Sequence, residues 1–127
     1  MESLKIIDAK DGNKIYGIYR SENNKKLVIH IHGLTAPVDG YVEGVSAGFF
    51  LDHKFDHYRV GLYHIGPGSR RLDQSGINTH IIDTEQIYEH FYQEYDEIYV
   101  TSHSLGSLVT LIQNPSNEKV KAVSLVR

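Results

Sequence analysis

The segment Val100-Thr101-Ser102-His103-Ser104-Leu105-Gly106-Ser107 decides how the rest of the chain must fold around it. An apolar run typical of a β-strand, residues 97–101, leads into the segment, and a run typical of a helix, residues 105–112, leads out of it. Ser104 stands between them, with small residues two positions before and after it. A strand-to-helix turn this tight excludes large flanking side chains and holds its central residue in a strained conformation, with the side chain projecting from the sheet. Ser104 is therefore a candidate nucleophile.

Length and composition indicate one globular domain, residues 1–127, with 40% hydrophobic and 23% charged residues. A net charge of -3 gives no attraction for nucleic acid or for an anionic membrane. No apolar run approaches the roughly 18 residues of a membrane span, and the N-terminus lacks the apolar region of a signal peptide. The absence of cysteine excludes disulfides, thiol catalysis and cysteine-bound metal. We expect a cytoplasmic protein that binds neither nucleic acid nor membrane.

The order of the predicted elements indicates an α/β fold. Two short strands joined by the turn Asp11-Gly12-Asn13 predict an N-terminal antiparallel hairpin. Strands and helices then alternate, which predicts a mostly parallel sheet with helices on both faces. The predicted strands are residues 4–9, 14–20, 27–32, 58–64, 97–101 and 120–126, and the predicted helices are residues 40–53, 77–93 and 105–112.

The glycines of the first predicted helix admit two interpretations. Gly40, Gly44 and Gly48 recur every four residues and share one helix face, with Asp39 placed to cap the helix. Either they only weaken the helix, by up to about 1 kcal/mol each relative to alanine, or they form a smooth face that packs closely against another element. The pattern favours neither interpretation over the other.

Apolar stripes orient the other two helices, and the second has Asn78 or Thr79 as its predicted N-cap. The predicted core-facing stripes are Ile77, Ile81, Tyr88 and Phe91 in the second helix, and Leu105, Leu108, Val109 and Ile112 in the third.

Four places in the chain, in the right order, resemble the α/β-hydrolase family. They are the oxyanion loop at His32-Gly33-Leu34 with Pro37 after it, the loop at residues 63–69, the helix at residues 77–93 and the nucleophile elbow at residues 102–106. The resemblance runs over the chain from residue 27 onward. It implies a three-layer, α/β-hydrolase-like fold.

The resemblance also implies an activity, which is hydrolysis of an ester, thioester or amide through an acyl-enzyme on Ser104. The expected substrate is a small acyl compound, and no cofactor or metal is expected. The backbone N–H groups of Leu34 and Leu105 are the implied oxyanion-hole donors. The implied supporting residues are His32, Gly33, Ser102, His103 and Gly106.

The chain departs from the family pattern in several ways. Ser102 opens the elbow where glycine is usual, Ser107 replaces a second common glycine, and Tyr63 stands where an acidic residue is usual. The acid and the histidine of the family's triad follow strands beyond the one that ends near Val126. We therefore expect a C-terminally incomplete hydrolase fold that is inactive alone. Its last strand would be an uncovered apolar edge through which the chain associates with itself.

Other interpretations stay open at this stage. The chain could be a non-catalytic remnant of the fold that binds a ligand or partner, with Ser104 a plain helix N-cap. A doubly wound nucleotide-binding protein is disfavoured, because no glycine-rich nucleotide motif is present. His30 and His32 face one side of a strand and could bind zinc, although no third ligand is evident. His64 is a weak candidate for a substitute base.

The loop Gly66-Pro67-Gly68-Ser69 continues into Arg70 and Arg71. It lacks the spacing and the Lys-Ser/Thr pair of a phosphate-binding loop. We expect a solvated loop with two surface arginines, either of which could meet an anionic group of a substrate.

Overall fold

The computed structural model of the chain describes residues 2–33, 41–63 and 66–126. The strands are β1 (Glu2–Asp8), β2 (Lys14–Arg20), β3 (Lys26–Ile31), β4 (Phe55–Gly61), β5 (Glu97–His103) and β6 (Val120–Val126), and the helices are α1 (Tyr41–Asp52), α2 (Ile77–Tyr92) and α3 (Leu105–Gln113). A short 3-10 turn, Leu72–Gln74, precedes α2.

The six strands form one sheet in the order β1-β2-β4-β3-β5-β6. The hairpin β1–β2 is antiparallel and joins β4 in the antiparallel sense, whereas β4, β3, β5 and β6 are mutually parallel. The predicted mostly parallel sheet with an N-terminal hairpin is confirmed. β4 begins at Phe55, three residues before the predicted start at Tyr58. Its first residues include the polar Asp56 and His57, which the sheet buries.

Helices cover both faces of the sheet, as the alternation of elements predicted. Neighbouring residues of a strand point to opposite faces. His57 therefore stacks on Phe50 of α1, while Tyr58 lies 5.0 Å, between ring centroids, from Phe91 of α2. The main hydrophobic core lies on the α2 face, where Ile29 of β3 and Val100 of β5 are also buried.

The apolar stripe predicted for α2 is correct only in its C-terminal half. Tyr88 and Phe91 are buried, but Ile77 is 37% exposed and the N-terminal half buries the polar His80 and Asp83 instead. The predicted caps are also wrong by two or three positions. The N-cap is Gly76, whose N–H donates to the hydroxyl of Thr79 at 2.9 Å within the first turn.

The stripe predicted for α3 is wrong at two of its members. The helix buries Gly106, Val109 and Thr110, whereas Leu108 and Ile112 are 42% and 53% exposed. The close approach of Gly106 to β3, described below, turns this face of the helix inward. The apolar residues on the other side are left uncovered by the described part of the chain.

The close-packing interpretation of the α1 glycines is not supported at Gly48. Among the described residues, a methyl group there would meet only the guanidinium of Arg20, at 3.9 Å, so none of the described elements approaches closely. Gly44 lies in α1, but its surroundings, like Asp39 and Gly40, are outside the described residues. None of the described helices is long and apolar enough to cross a membrane.

Candidate active site

The sheet has a topological switch point at β3, its central parallel strand. The chain leaves β3 to form β4 on one side and later returns to form β5 on the other. In open α/β sheets, ligands bind at the carboxyl ends of the strands at such a point. Gly33 follows β3 there and Ser104 follows β5.

Ser104 has the strained backbone that the sequence predicts. Its φ is 52° and its ψ is -118°, a combination that non-glycine residues rarely adopt. It occupies the N-cap position of α3, but its side chain makes no capping hydrogen bond. Ordinary N-cap residues have extended backbone angles. The exposed Ser104 is therefore arranged as the apex of an elbow rather than as a plain helix cap.

Two glycines make room for this turn. A methyl group on Gly106 would lie 2.4 Å from the carbonyl oxygen of Ile31 and 2.5 Å from that of His32. A methyl group on Gly33 would lie 3.1 Å from the Cβ of Ser104 and 3.2 Å from the Nδ1 of His103. The end of β3 and the elbow are thus in direct backbone contact, which only glycine permits without displacement.

The start of α3 lies beside Ser104 and supplies backbone donors. The N–H groups of Leu105 and Gly106, in the first turn, have no acceptor within the helix. The positive end of the helix dipole is also at this position. Leu34, the other predicted donor, lies outside the described residues.

His32 is held by hydrogen bonds on both ring nitrogens. Its Nε2 accepts the N–H of Leu62 at 3.0 Å, and its Nδ1 donates to the carbonyl of Gly33 at 2.5 Å. Because Nε2 accepts, the ring is in the neutral Nδ1–H form. His32 is 4% exposed and ties the ends of β3 and β4 together. This arrangement leaves it no nitrogen with which to take a proton from Ser104.

Three further histidines, His30, His57 and His80, are buried. The Nδ1 of His30 is bonded to the hydroxyl of Thr101 at 2.9 Å. Burial, with the charges of His30 and Arg59 adding to it, lowers the pKa of His57 to about 3. Burial likewise lowers the pKa of His80 to about 4. Among the residues that the structure describes, no three potential metal ligands come together, and His64 lies outside them.

Arg70 is not the surface residue that the sequence predicts. It is 6% exposed and donates to both carboxylate oxygens of Asp83 in α2, at 2.8 and 2.9 Å. It also pairs with Asp11 of the hairpin turn at 2.6 Å. Burial raises the pKa of Asp83, and the guanidinium of Arg70 acts against that rise. Only Arg71 is exposed, and it pairs with its neighbour Asp73.

Ser102 and Ser107 meet beside the elbow, with their hydroxyl oxygens 3.2 Å apart. No sequence pattern indicates this contact, because the two serines lie on different elements. A shallow, mostly apolar depression lies next to them and is lined by Ser104, Ser107, Leu125 and Val126.

No protein-family model and no curated protein matches the sequence. Solved structures do match. The chain is similar to Est1E from Butyrivibrio proteoclasticus, seen with ferulic acid bound, at 17% identity and a TM-score of 0.83, over 94% of this chain and 50% of that one. It is also similar to the esterase Pf2001 from Pyrococcus furiosus, at 16% identity and a TM-score of 0.83, over 98% of this chain and 49% of that one.

A third similar structure is the α/β hydrolase GrgF from Penicillium sp. sh18, at 17% identity and a TM-score of 0.83, over 98% of this chain and 45% of that one. The chain therefore has the α/β-hydrolase fold. It spans about half the length of these structures.

Proposed function

We propose that Ser104 is the nucleophile of a serine hydrolase, which cleaves an ester, thioester or amide through an acyl-enzyme. The observation that carries the proposal is the backbone of Ser104, at φ 52° and ψ -118°, directly between β5 and α3. Non-glycine residues in sparsely populated backbone conformations cluster at active sites and ligand-binding turns. Here the strain presents the hydroxyl at the carboxyl edge of the sheet.

The surroundings of Ser104 support the same chemistry. Attack on an acyl carbon generates an oxyanion, and backbone N–H groups aimed at that oxygen stabilise it. The N–H of Leu105 is our first proposed donor, and that of Leu34, the residue after Gly33 in the sequence, is the second. His32 would support this hole by fixing the carbonyl of Gly33. His103, whose ring lies against Gly33, would pack beside the site rather than act in it.

The activating groups have to come from elsewhere. A serine needs a base to accept its proton and a third group to orient that base. His32 has both nitrogens engaged, and no described histidine is hydrogen-bonded to the Ser104 hydroxyl. We propose that the base and the acid are not among these 127 residues. We also propose that the 127-residue chain alone is inactive.

An ester is the first substrate class to test, because one of the similar structures, Pf2001, is an esterase. The fold by itself is shared by several reactions and does not choose among them. We further propose a cytoplasmic location, no resident cofactor and a small acyl substrate.

The experiment has two stages. The first reads the coding sequence past codon 127 for a continuing frame with an Asp or Glu followed by a His. The second treats the complete product with a fluorophosphonate probe and with p-nitrophenyl esters, in the wild type, Ser104→Ala and, as a control, the exposed Ser116→Ala. We expect labelling and ester hydrolysis to be lost in Ser104→Ala alone. Labelling that survives Ser104→Ala would show that the nucleophile is assigned wrongly.

A non-catalytic hydrolase-fold protein is the second candidate. It is favoured by the lack, among the described residues, of a histidine placed to activate Ser104. A stop at codon 128, together with no labelling of Ser104, would support it.

A further inference from the structure

The carbonyl of Val126, at the end of β6, is bound from the elbow by two donors. The N–H of Ser104 donates to it at 2.8 Å, and the hydroxyl of Ser107 donates to it at 2.8 Å. The N–H of Val126 in turn donates to the same Ser107 oxygen at 3.1 Å. The Ser107 hydroxyl therefore binds both the N–H and the carbonyl of Val126, and the same carbonyl accepts the N–H of Ser104.

Ser102 extends this network into the interior. Its hydroxyl lies 3.2 Å from the Ser107 oxygen and 3.1 Å from the carbonyl of Ser124 in β6. Ser102 is 1% exposed, so its single hydroxyl hydrogen goes to one of these two acceptors rather than to water. Either bond ties β5 to the junction of α3 and β6.

This network depends on Ser102 and Ser107, two of the positions at which the chain departs from the family pattern. Glycine at position 107 would remove the hydroxyl that binds Val126, and glycine at position 102 would remove the hydroxyl that contacts Ser107 and Ser124. A strained conformation persists only where its surroundings over-determine it. The hydroxyls of Ser102 and Ser107 add such constraints next to Ser104, whose φ is 52°.

We propose that Ser107, oriented by Ser102, is a positioning residue of the elbow. It holds the carbonyl of Val126 against the amide of Ser104 and so keeps Ser104 in the conformation that presents its hydroxyl. The consequence for reactivity rests on the proposed function of Ser104, but the positioning itself does not. The position of the end of β6 and the conformation of the elbow are thereby coupled.

Amide hydrogen exchange, followed residue by residue by NMR on the complete product of the gene, tests the positioning. In Ser107→Ala we expect the amides of Ser104 and Val126 to exchange about tenfold faster, as for the loss of one hydrogen bond. The amides of the β1–β2 hairpin should keep their wild-type rates. Ser107→Thr, which retains a hydroxyl, should restore the protection.

The matched control is Thr110→Val. Its hydroxyl is also on α3 but donates within the helix, to the carbonyl of Gly106 at 2.8 Å. Unchanged exchange at Ser104 in Ser107→Ala overturns the proposal. Equal acceleration in Thr110→Val, or uniform acceleration throughout the sheet in Ser107→Ala, overturns it as well, because either result means general destabilisation. If Ser107→Ala does not fold, the same measurement on Ser102→Ala decides.

Fluorophosphonate labelling of the complete product separates this proposal from the proposed function. If Ser104 is the nucleophile, Ser107→Ala should slow its labelling and Ser107→Thr should restore it. If wild-type Ser104 is never labelled, the proposed function fails, while the exchange result still decides the positioning. A wild-type labelling rate in Ser107→Ala, with Ser104 labelled, would overturn the link between positioning and reactivity.

Discussion

Substituting alanine for Gly106 should destabilise the protein although alanine is the better helix former. In an unobstructed helix the change would stabilise by about 1 kcal/mol. Here the added methyl group would lie 2.4 and 2.5 Å from two carbonyl oxygens of the chain at the end of β3. Ordinary contact begins near 3.4 Å, so α3 has to move away from the sheet by roughly 1 Å. The substitution is therefore of the kind that overpacks a core.

The two effects have opposite signs, and the steric one is larger. Overpacking a core costs about 1–3 kcal/mol. The upper end applies because the obstructing atoms are backbone atoms of the central strand, which cannot rotate aside. After subtraction of the helix preference, we expect a net loss of about 2 kcal/mol, which is roughly 7 °C in Tm for a chain of this size.

The control is Gly48→Ala, the same substitution in α1. A methyl group at Gly48 meets only a guanidinium nitrogen at 3.9 Å, so this variant should be stabilised by up to about 1 kcal/mol. Urea titrations followed by far-UV circular dichroism suit a chain that contains no tryptophan. They should be repeated at several protein concentrations to detect association. A Gly106→Ala variant as stable as the wild type, or a Gly48→Ala variant that loses as much, would refute the reasoning.

Three further predictions concern pH, a buried ion pair and self-association. In the unfolded chain His57 binds a proton near pH 6.5, whereas in the folded protein its pKa is about 3 and it stays neutral. As the pH drops from about 6.5 toward 4, His57 alone should therefore lower the free energy of unfolding by up to about 1.4 kcal/mol per pH unit, and His80, with its pKa of about 4, should add to this fall. Urea titrations of His57→Phe should show a shallower dependence on pH. Arg70→Ala should lower the free energy of unfolding by about 3 kcal/mol, because it leaves the buried carboxylate of Asp83 unpaired. Arg71→Ala, at an exposed pair, should change thermal unfolding little. Equal losses of stability in the two variants would contradict the pairing. The 127-residue chain should self-associate through β6, which carries one charged side chain against three in the opposite edge strand β1. In sedimentation experiments Leu125→Lys should weaken this association and Leu4→Lys should not, and a wild-type chain that stays monomeric would exclude it.

Much of the fold was predictable because it depends on short-range patterns. The strand boundaries of β2 and β6 follow directly from alternating or continuous apolar residues, and the structure has them at the predicted positions. The strained turn at Ser104 was predictable from small neighbours at 102 and 106, since the sterics of a tight turn act over two or three residues. The roles of the site residues in catalysis stay predictions.

The errors at α3 and at Arg70 share one physical origin, which is contact between residues distant in sequence. The exposed side of α3 was predicted to be buried, because its apolar residues fall at helical spacing. The helix is in fact turned by the close approach of Gly106 to β3. Arg70 was predicted to be solvated because its neighbours are turn-forming residues. Its partner Asp83 lies 13 positions away on α2, and no local pattern records that pairing.

The sequence by itself determined the order of strands and helices, the hairpin at the N-terminus and the turn that presents Ser104. Each of these depends on side-chain periodicity or on the sterics of a few adjacent residues. Only the tertiary structure decided which face of α3 packs inward, that His32 is neutral and doubly bonded, and that Ser107 holds the end of β6 against the elbow. These features depend on backbone atoms of separate elements, which come within hydrogen-bonding distance only when the sheet has formed.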